Sequence, residues 1–167
     1  SRQLEEVTFR RTVIPVQELL DTAGKYFKKS MKNRSERIEL EIEPMEAKVI
    51  GDVNQLRFLL ENLIDEALTV REDGVIRLQA RQDNEYIRFL FTDTRREKSV
   101  EELNQLFYPN LARMTSGEKG ELRGTEYLVC KQIIRDHDEF AGRRGCRINA
   151  EPAEGGGFTV YFTIPRR

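Results

Sequence analysis

Four consecutive residues, Asp136-His137-Asp138-Glu139, carry side chains that ligate metals or move protons. Adjacent side chains diverge, however, and a metal site needs ligands that converge from more than one segment. No second ligand group stands out, so the run is assigned no metal. His137 is the chain's single histidine. Its place near the end of a helical pattern suits a surface or capping role better than phosphate acceptance. Cys130 and Cys146 are too few for a disulfide framework, and Cys130 falls in an apolar helical pattern where a buried thiol is expected. That usage fits a reducing compartment. Asn62 taken alone reads as a solvated position on an amphipathic helix, and Lys28-Lys29 and Arg143-Arg144 read as solvated charge.

These groups act only if a fold brings them together, and 167 residues allow one substantial core. A single domain spanning 1–167 is expected. Lys plus Arg number 28 against 29 Asp plus Glu. So even a balance argues against broad attraction to nucleic acid or an anionic membrane, and recognition should be local. No apolar run approaches the roughly 18 residues of a membrane span, and no leader pattern opens the sequence. A soluble, cytoplasmic segment is expected, whose parent protein can still be membrane-anchored.

Hydrophobic periodicity supplies the elements. Val13, Ile14, Val16, Leu19, Leu20 and Ala23 lie near helical spacing and predict a helix from about Val16 to Lys29. Ile38, Leu40 and Ile42 alternate with glutamates as a half-buried strand does, and Lys48 to Ile50 is its expected short partner. Asp52 is an N-cap candidate for the most regular stripe in the chain, Val53, Leu56, Leu59, Leu60, Leu63, Ile64, Ala67 and Leu68. Val75 to Arg81 and Tyr86 to Phe91 flank Asp83-Asn84-Glu85 as a β-hairpin. Ser99 and Glu102 form a capping-box pattern before Leu103 and Leu106, and Pro109 closes that helix. A polar loop containing Gly117 and Gly120 precedes a second helical pattern, Tyr127 to Ile134. Cys146 to Ala150 and Phe158 to Ile164 end the chain as strands around Gly155-Gly156-Gly157. Helices mixed with antiparallel strands in this order predict an α+β fold: a two-layer α/β sandwich with a mixed, mainly antiparallel sheet of about five strands, covered on one face by helices.

Several segments together resemble the ATP-binding domain of sensor histidine kinases, in the superfamily that also holds gyrase, Hsp90 and MutL. The stretch Gly51-Asp52 through Leu60-Glu61-Asn62-Leu63-Ile64-Asp65-Glu66-Ala67 is similar to the N box. There the family projects two asparagines from one helix face toward Mg²⁺ and the triphosphate. Asn62 matches the first, whereas Glu66 stands at the second and adds a charge that repels phosphate. Asp93-Thr94-Arg95-Arg96-Glu97 resembles the family's Asp-x-Gly-x-Gly box, whose aspartate accepts the adenine amino group. Asp93 is kept, but Arg95 and Glu97 replace glycines and add bulk at the adenine approach. Val100 through Phe107 resembles the F box, with Phe107 equally explicable as core. Leu122-Arg123-Gly124-Thr125-Glu126 resembles the glycine segment at the helix end that cradles phosphate. Only Gly124 survives there, and Glu126 places a carboxylate at that helix N-terminus.

The resemblance therefore implies a degenerate nucleotide site at Asn62, Glu66, Asp93, Gly124 and Thr125. Asn62 and Glu66 are the metal ligands if ATP and Mg²⁺ bind, and no catalytic residue is assigned. Arg95 and Arg123 are placed to pair with phosphate oxygens in partial compensation. Two functions follow. One is a signalling or interaction module with weak or absent nucleotide binding, docked on a protein partner or on the dimerisation or phosphoacceptor segment of its parent chain. The other is an active Mg-ATP-binding kinase domain that phosphorylates a histidine outside this fragment.

Overall fold

In the computed structural model residues 8–110, 114–116 and 122–167 are described. Strand β1 (Thr12–Pro15) runs into helix α1 (Val16–Ser30), and Pro15 at the junction supplies an extended φ of −62° and ψ of 130°. Next come β2 (Ile38–Ile42), β3 (Lys48–Gly51) and helix α2 (Val53–Ala67). The hairpin is β4 (Gly74–Asp83) and β5 (Tyr86–Asp93), followed by the short helix α3 (Val100–Gln105). Two-residue strands β6 (Thr115–Ser116) and β7 (Leu122–Arg123) pair with each other, and helix α4 (Glu126–Phe140) leads to β8 (Ile148–Pro152) and β9 (Phe158–Pro165).

The main sheet has five strands in the order β2-β4-β5-β9-β8, with β2 parallel to β4 and the remaining neighbours antiparallel. It is mixed and mainly antiparallel, as expected. On β4 and β5 the inward residues Ile76, Leu78, Ile87, Phe89 and Phe91 are buried, and Val160, Phe162 and Ile164 join them from β9. Phe89 and Phe162 are register partners whose rings stack at 4.8 Å, so one cross-strand pair locks the centre of the sheet. Helices α1, α2 and α4 close this core with Leu19, Leu20, Leu59, Leu63, Cys130 and Ile134. The opposite face carries charge, such as the Arg77–Glu41 pair at 3.1 Å.

The pairing of β3 differs from expectation. Lys48–Gly51 pairs antiparallel with Thr12–Pro15 and not with Ile38–Ile42, which lies against β4. Val13 and Ile14, which fit a helical pattern, are strand residues because Ile14 and Val49 are register partners, both buried in the core. Asp52 does cap α2, its Oδ1 accepting the Gln55 amide at 3.1 Å, and the Ser99–Glu102 capping box forms in both directions. Helix α3 ends at Gln105, before Pro109. Among the described residues no helix is long and apolar enough to cross a membrane.

Candidate functional site

Asp93 is the last residue of β5 and is buried. Its carboxylate meets Arg95, the residue that stands at a glycine position of the motif. Arg95 Nε donates to Asp93 Oδ1 and Arg95 Nη2 to Asp93 Oδ2, each at 2.9 Å, a bidentate pair in which the two side chains are 1% and 5% exposed. The remaining donors turn toward the end of α2. Nη1 reaches the Val70 carbonyl at 2.9 Å and the Glu72 carbonyl at 2.8 Å, while Nη2 reaches the Ala67 carbonyl at 2.6 Å. All five guanidinium N–H groups are thereby used. A helix leaves its last carbonyls unpaired and its C-terminal pole negative, so this cation satisfies the end of α2 as well as the aspartate.

The arginine stem needs room, and Gly74 provides it. A Cβ at residue 74 would lie 2.5 Å from Arg95 Cγ, and the Gly74 φ of +146° is one that other residues rarely adopt. Arg95 is therefore not placed to pair with phosphate oxygens, a correction to the sequence-based expectation. The side chain folds back on the aspartate, where the carboxylate and three main-chain carbonyls satisfy every N–H that leaving water would otherwise strand. Glu97 is exposed, with its carboxylate near the Gly156 turn between β8 and β9.

On α2, Asn62 is buried and not solvated as its helix position alone suggested, and its Nδ2 donates to the Phe58 carbonyl one turn back on the same helix at 2.8 Å. Glu66 lines a cleft of about 260 Å³ together with Thr69, Asp93, Lys98, Tyr127 and Phe158. Lys98 Nζ sits 5.3 Å from the centre of the Phe158 ring. Gly124 keeps a positive φ of +81°, Thr125 is the N-cap of α4 with no side-chain capping bond, and Glu126 begins the helix. The Glu126 Oε2 atom is buried without a hydrogen-bond partner. Glu66 and Glu126 both act on Cys130 beneath them: burial first, and then these negative charges, push its thiol well above the ordinary range. The side chain of Arg123 and the glycines Gly117 and Gly120 lie outside the described residues. Phe107 is buried and meets Tyr127 edge to face at 5.7 Å.

His137 is fully buried, not a surface residue. Its position follows the phase of α4, where Tyr127, Cys130, Ile133, Ile134 and His137 share the inward face. Nε2 accepts the Asp52 amide, so Nδ1 carries the proton and donates to the Ile133 carbonyl at 2.8 Å.

Residues 51–167 match the family model described as histidine kinase-, DNA gyrase B- and HSP90-like ATPase. The chain belongs to this family. Within it, the fold resembles the nucleotide-free catalytic domain of histidine kinase ThkA, at 21% identity and a TM-score of 0.71, over 94% of this chain and 97% of that one. It also resembles the mycobacterial sensor histidine kinase MprB, at 20% identity and a TM-score of 0.71, over 95% and 99% of the two chains. ThkA in complex with response regulator protein TrrA matches at 18% identity and a TM-score of 0.71, over 99% of this chain and 46% of that one. A search of curated protein sequences gave no match. The sequence singled out Asp93 by its motif, but not the guanidinium that meets its carboxylate. An acid and a base at i and i+2, facing the end of a helix, were the available signal.

Proposed function

We propose that residues 1–167 form one histidine-kinase-like ATP-binding domain of a larger signalling protein, working as an interaction module with weak or absent nucleotide binding. The observation that carries this reading is the Asp93–Arg95 pair. Asp93 Oδ1 accepts both the backbone amide and Nε of Arg95 and Oδ2 accepts Nη2, so of the roughly four acceptor sites of the carboxylate one is left for an adenine amino group. The residues present fit adenine poorly there. Glu126 at the start of α4 and Glu66 at the cleft add carboxylates where triphosphate would require donors. Asn62 and Glu66 are the metal ligands only if nucleotide binds, and Gly124 and Thr125 complete the degenerate set. ThkA occurs in complex with a response regulator and is longer than this chain, which supports a protein partner and a larger parent. That partner, or the dimerisation and phosphoacceptor segment of the parent chain, is the proposed ligand of the module, in the cytoplasm.

Calorimetric titration with Mg-ATP tests the reading on the wild type, on Arg95→Gly, and on a Leu122→Gly, Glu126→Gly double variant. Weak or absent wild-type binding with a gain in either variant is expected. Low-micromolar wild-type affinity, with no gain in the variants, would favour an active kinase domain acting on a histidine elsewhere.

A further inference from the structure

At the far end of α4 from Glu126, a second cavity of about 370 Å³ opens where residues 141–143 meet β1 and the end of β9. Helix α4 has 15 residues and is therefore about 22 Å long, so this cavity is well separated from the Asp93 cleft. The two share no lining residue. Its floor is apolar, made by Val13 and Ile50, which are register partners across β1 and β3, together with Pro165. Its rim is cationic, made by Arg11, Arg143 and Arg167, and no aspartate or glutamate lines it.

In a chain of nearly even charge, three arginines around one apolar floor form a local excess. Arg143 is held in place: Nη1 donates to the Glu85 carbonyl at 2.8 Å and the guanidinium lies 5.9 Å from the Tyr86 ring centre. The Glu85 carboxylate is 3.7 Å from Arg143 Nε, too far for a hydrogen bond, and is 70% exposed, so it neutralises the rim only weakly. The C-terminal pole of α4 contributes about half a negative charge, and in the 167-residue chain the α-carboxylate of Arg167 adds one more, against three full positive ones. β1 pairs with β3 on one side only, so its other edge faces no strand among the described residues. Val13 on that strand is 42% exposed.

We infer that this cavity is a docking site for an extended acidic segment of a partner protein, laid beside β1 with an apolar residue on the Val13–Ile50 floor and, two positions before and after it, carboxylates facing the arginine rim. An extended strand shows one face at every second residue, so residues at that spacing enter the same cavity. Arginine suits the role because its planar fork takes a carboxylate through two hydrogen bonds. A small inorganic anion would use the rim and leave the apolar floor empty. The assignment deepens the interaction-module reading and rests on it, but the two fail separately: calorimetry with Mg-ATP tests that reading and peptide binding tests this one.

The experiment is a fluorescence-anisotropy titration of the 167-residue chain with a labelled Asp-Asp-Val-Val-Asp-Asp hexapeptide, which presents aspartate and valine on each of its faces. Binding is expected, weakening as salt rises, and falling roughly tenfold in an Arg11→Ala, Arg167→Ala double variant. A Lys25→Ala variant, altered at an exposed position of α1 away from both cavities, should bind as the wild type does. Should the double variant fail to fold by circular dichroism, Val13→Asp at its exposed position serves instead and should abolish binding. An undetectable wild-type titration would overturn the site, as would undiminished binding in the rim variant. Equal competition by inorganic phosphate or by an aspartate–serine hexapeptide would reduce it to a general anion surface and overturn it too. Adhesion to phosphatidylserine vesicles that the hexapeptide cannot displace would replace it with a membrane surface.

Discussion

The His137 imidazole accepts the backbone amide of Asp52 at 3.1 Å, joining the last turns of α4 to the residue that caps α2. Burial holds the ring below the ordinary histidine value, although the Ile133 carbonyl and the charges of Asp52 and Asp136 pull the other way. Only the neutral ring can accept that amide. Above about pH 6.5, the unfolded value, both states carry neutral imidazole and stability is complete. As pH falls from that value toward the lower folded one, the unfolded chain takes the proton first and stability is lost, levelling off once the folded ring is protonated too. Urea unfolding across that window should show a loss in the wild type that His137→Gln lacks. Equal slopes in the two proteins would contradict it.

Replacing Arg95 by Met should destabilise the domain by about 3–5 kcal/mol, because the change strands the buried Asp93 carboxylate and uncaps α2. Removing both charges, in an Asp93→Leu, Arg95→Met double variant, should recover much of the loss. Chemical unfolding of the three proteins measures both effects.

Gly74→Ala should cost more than about 1 kcal/mol, from its positive φ and from contact with the Arg95 stem. In an Arg95→Gly background the steric part disappears and the backbone part remains. A double-mutant cycle by thermal unfolding should therefore give a coupling that Gly74→Ala lacks with a distant change such as Phe58→Ala.

Phe89→Ala should cost about 3–5 kcal/mol, since it removes a fully buried ring stacked on Phe162 at the centre of the sheet. Equilibrium unfolding of the single variant measures it.

Cys130 and Cys146 should react with an aromatic disulfide reagent only on unfolding. Burial raises both thiols, that of Cys146 to about 12 with further help from the Asp138 charge. Fast labelling of the native chain at neutral pH would contradict this.

The elements readable in the sequence were those whose local pattern repeats often enough to decide itself. The stripe from Val53 to Ala67 and the alternation on either side of Asn84 left little choice of structure. Strand β1 is four residues long, and its identity depends on Val49, which is remote in sequence. Periodicity within one segment carries no information about such a partner. His137 was masked by its charged neighbours, although its spacing from Cys130 and Ile134 places it on the buried face. The same limit applied to Arg95. Loss of a glycine announces added bulk, but the direction of that bulk is set by Gly74 and the carbonyls of residues 67–72, which only the folded chain assembles.

The guanidinium that fills the Asp93 carboxylate belongs to the chain itself, on a tether of two residues. A freely diffusing ligand must compete with a group whose local concentration never falls. Under the proposed reading, the occupancy of this recess is then constant in time and independent of nucleotide supply. A domain built this way would transmit the geometry of its partners while remaining blind to the energy charge of the cell.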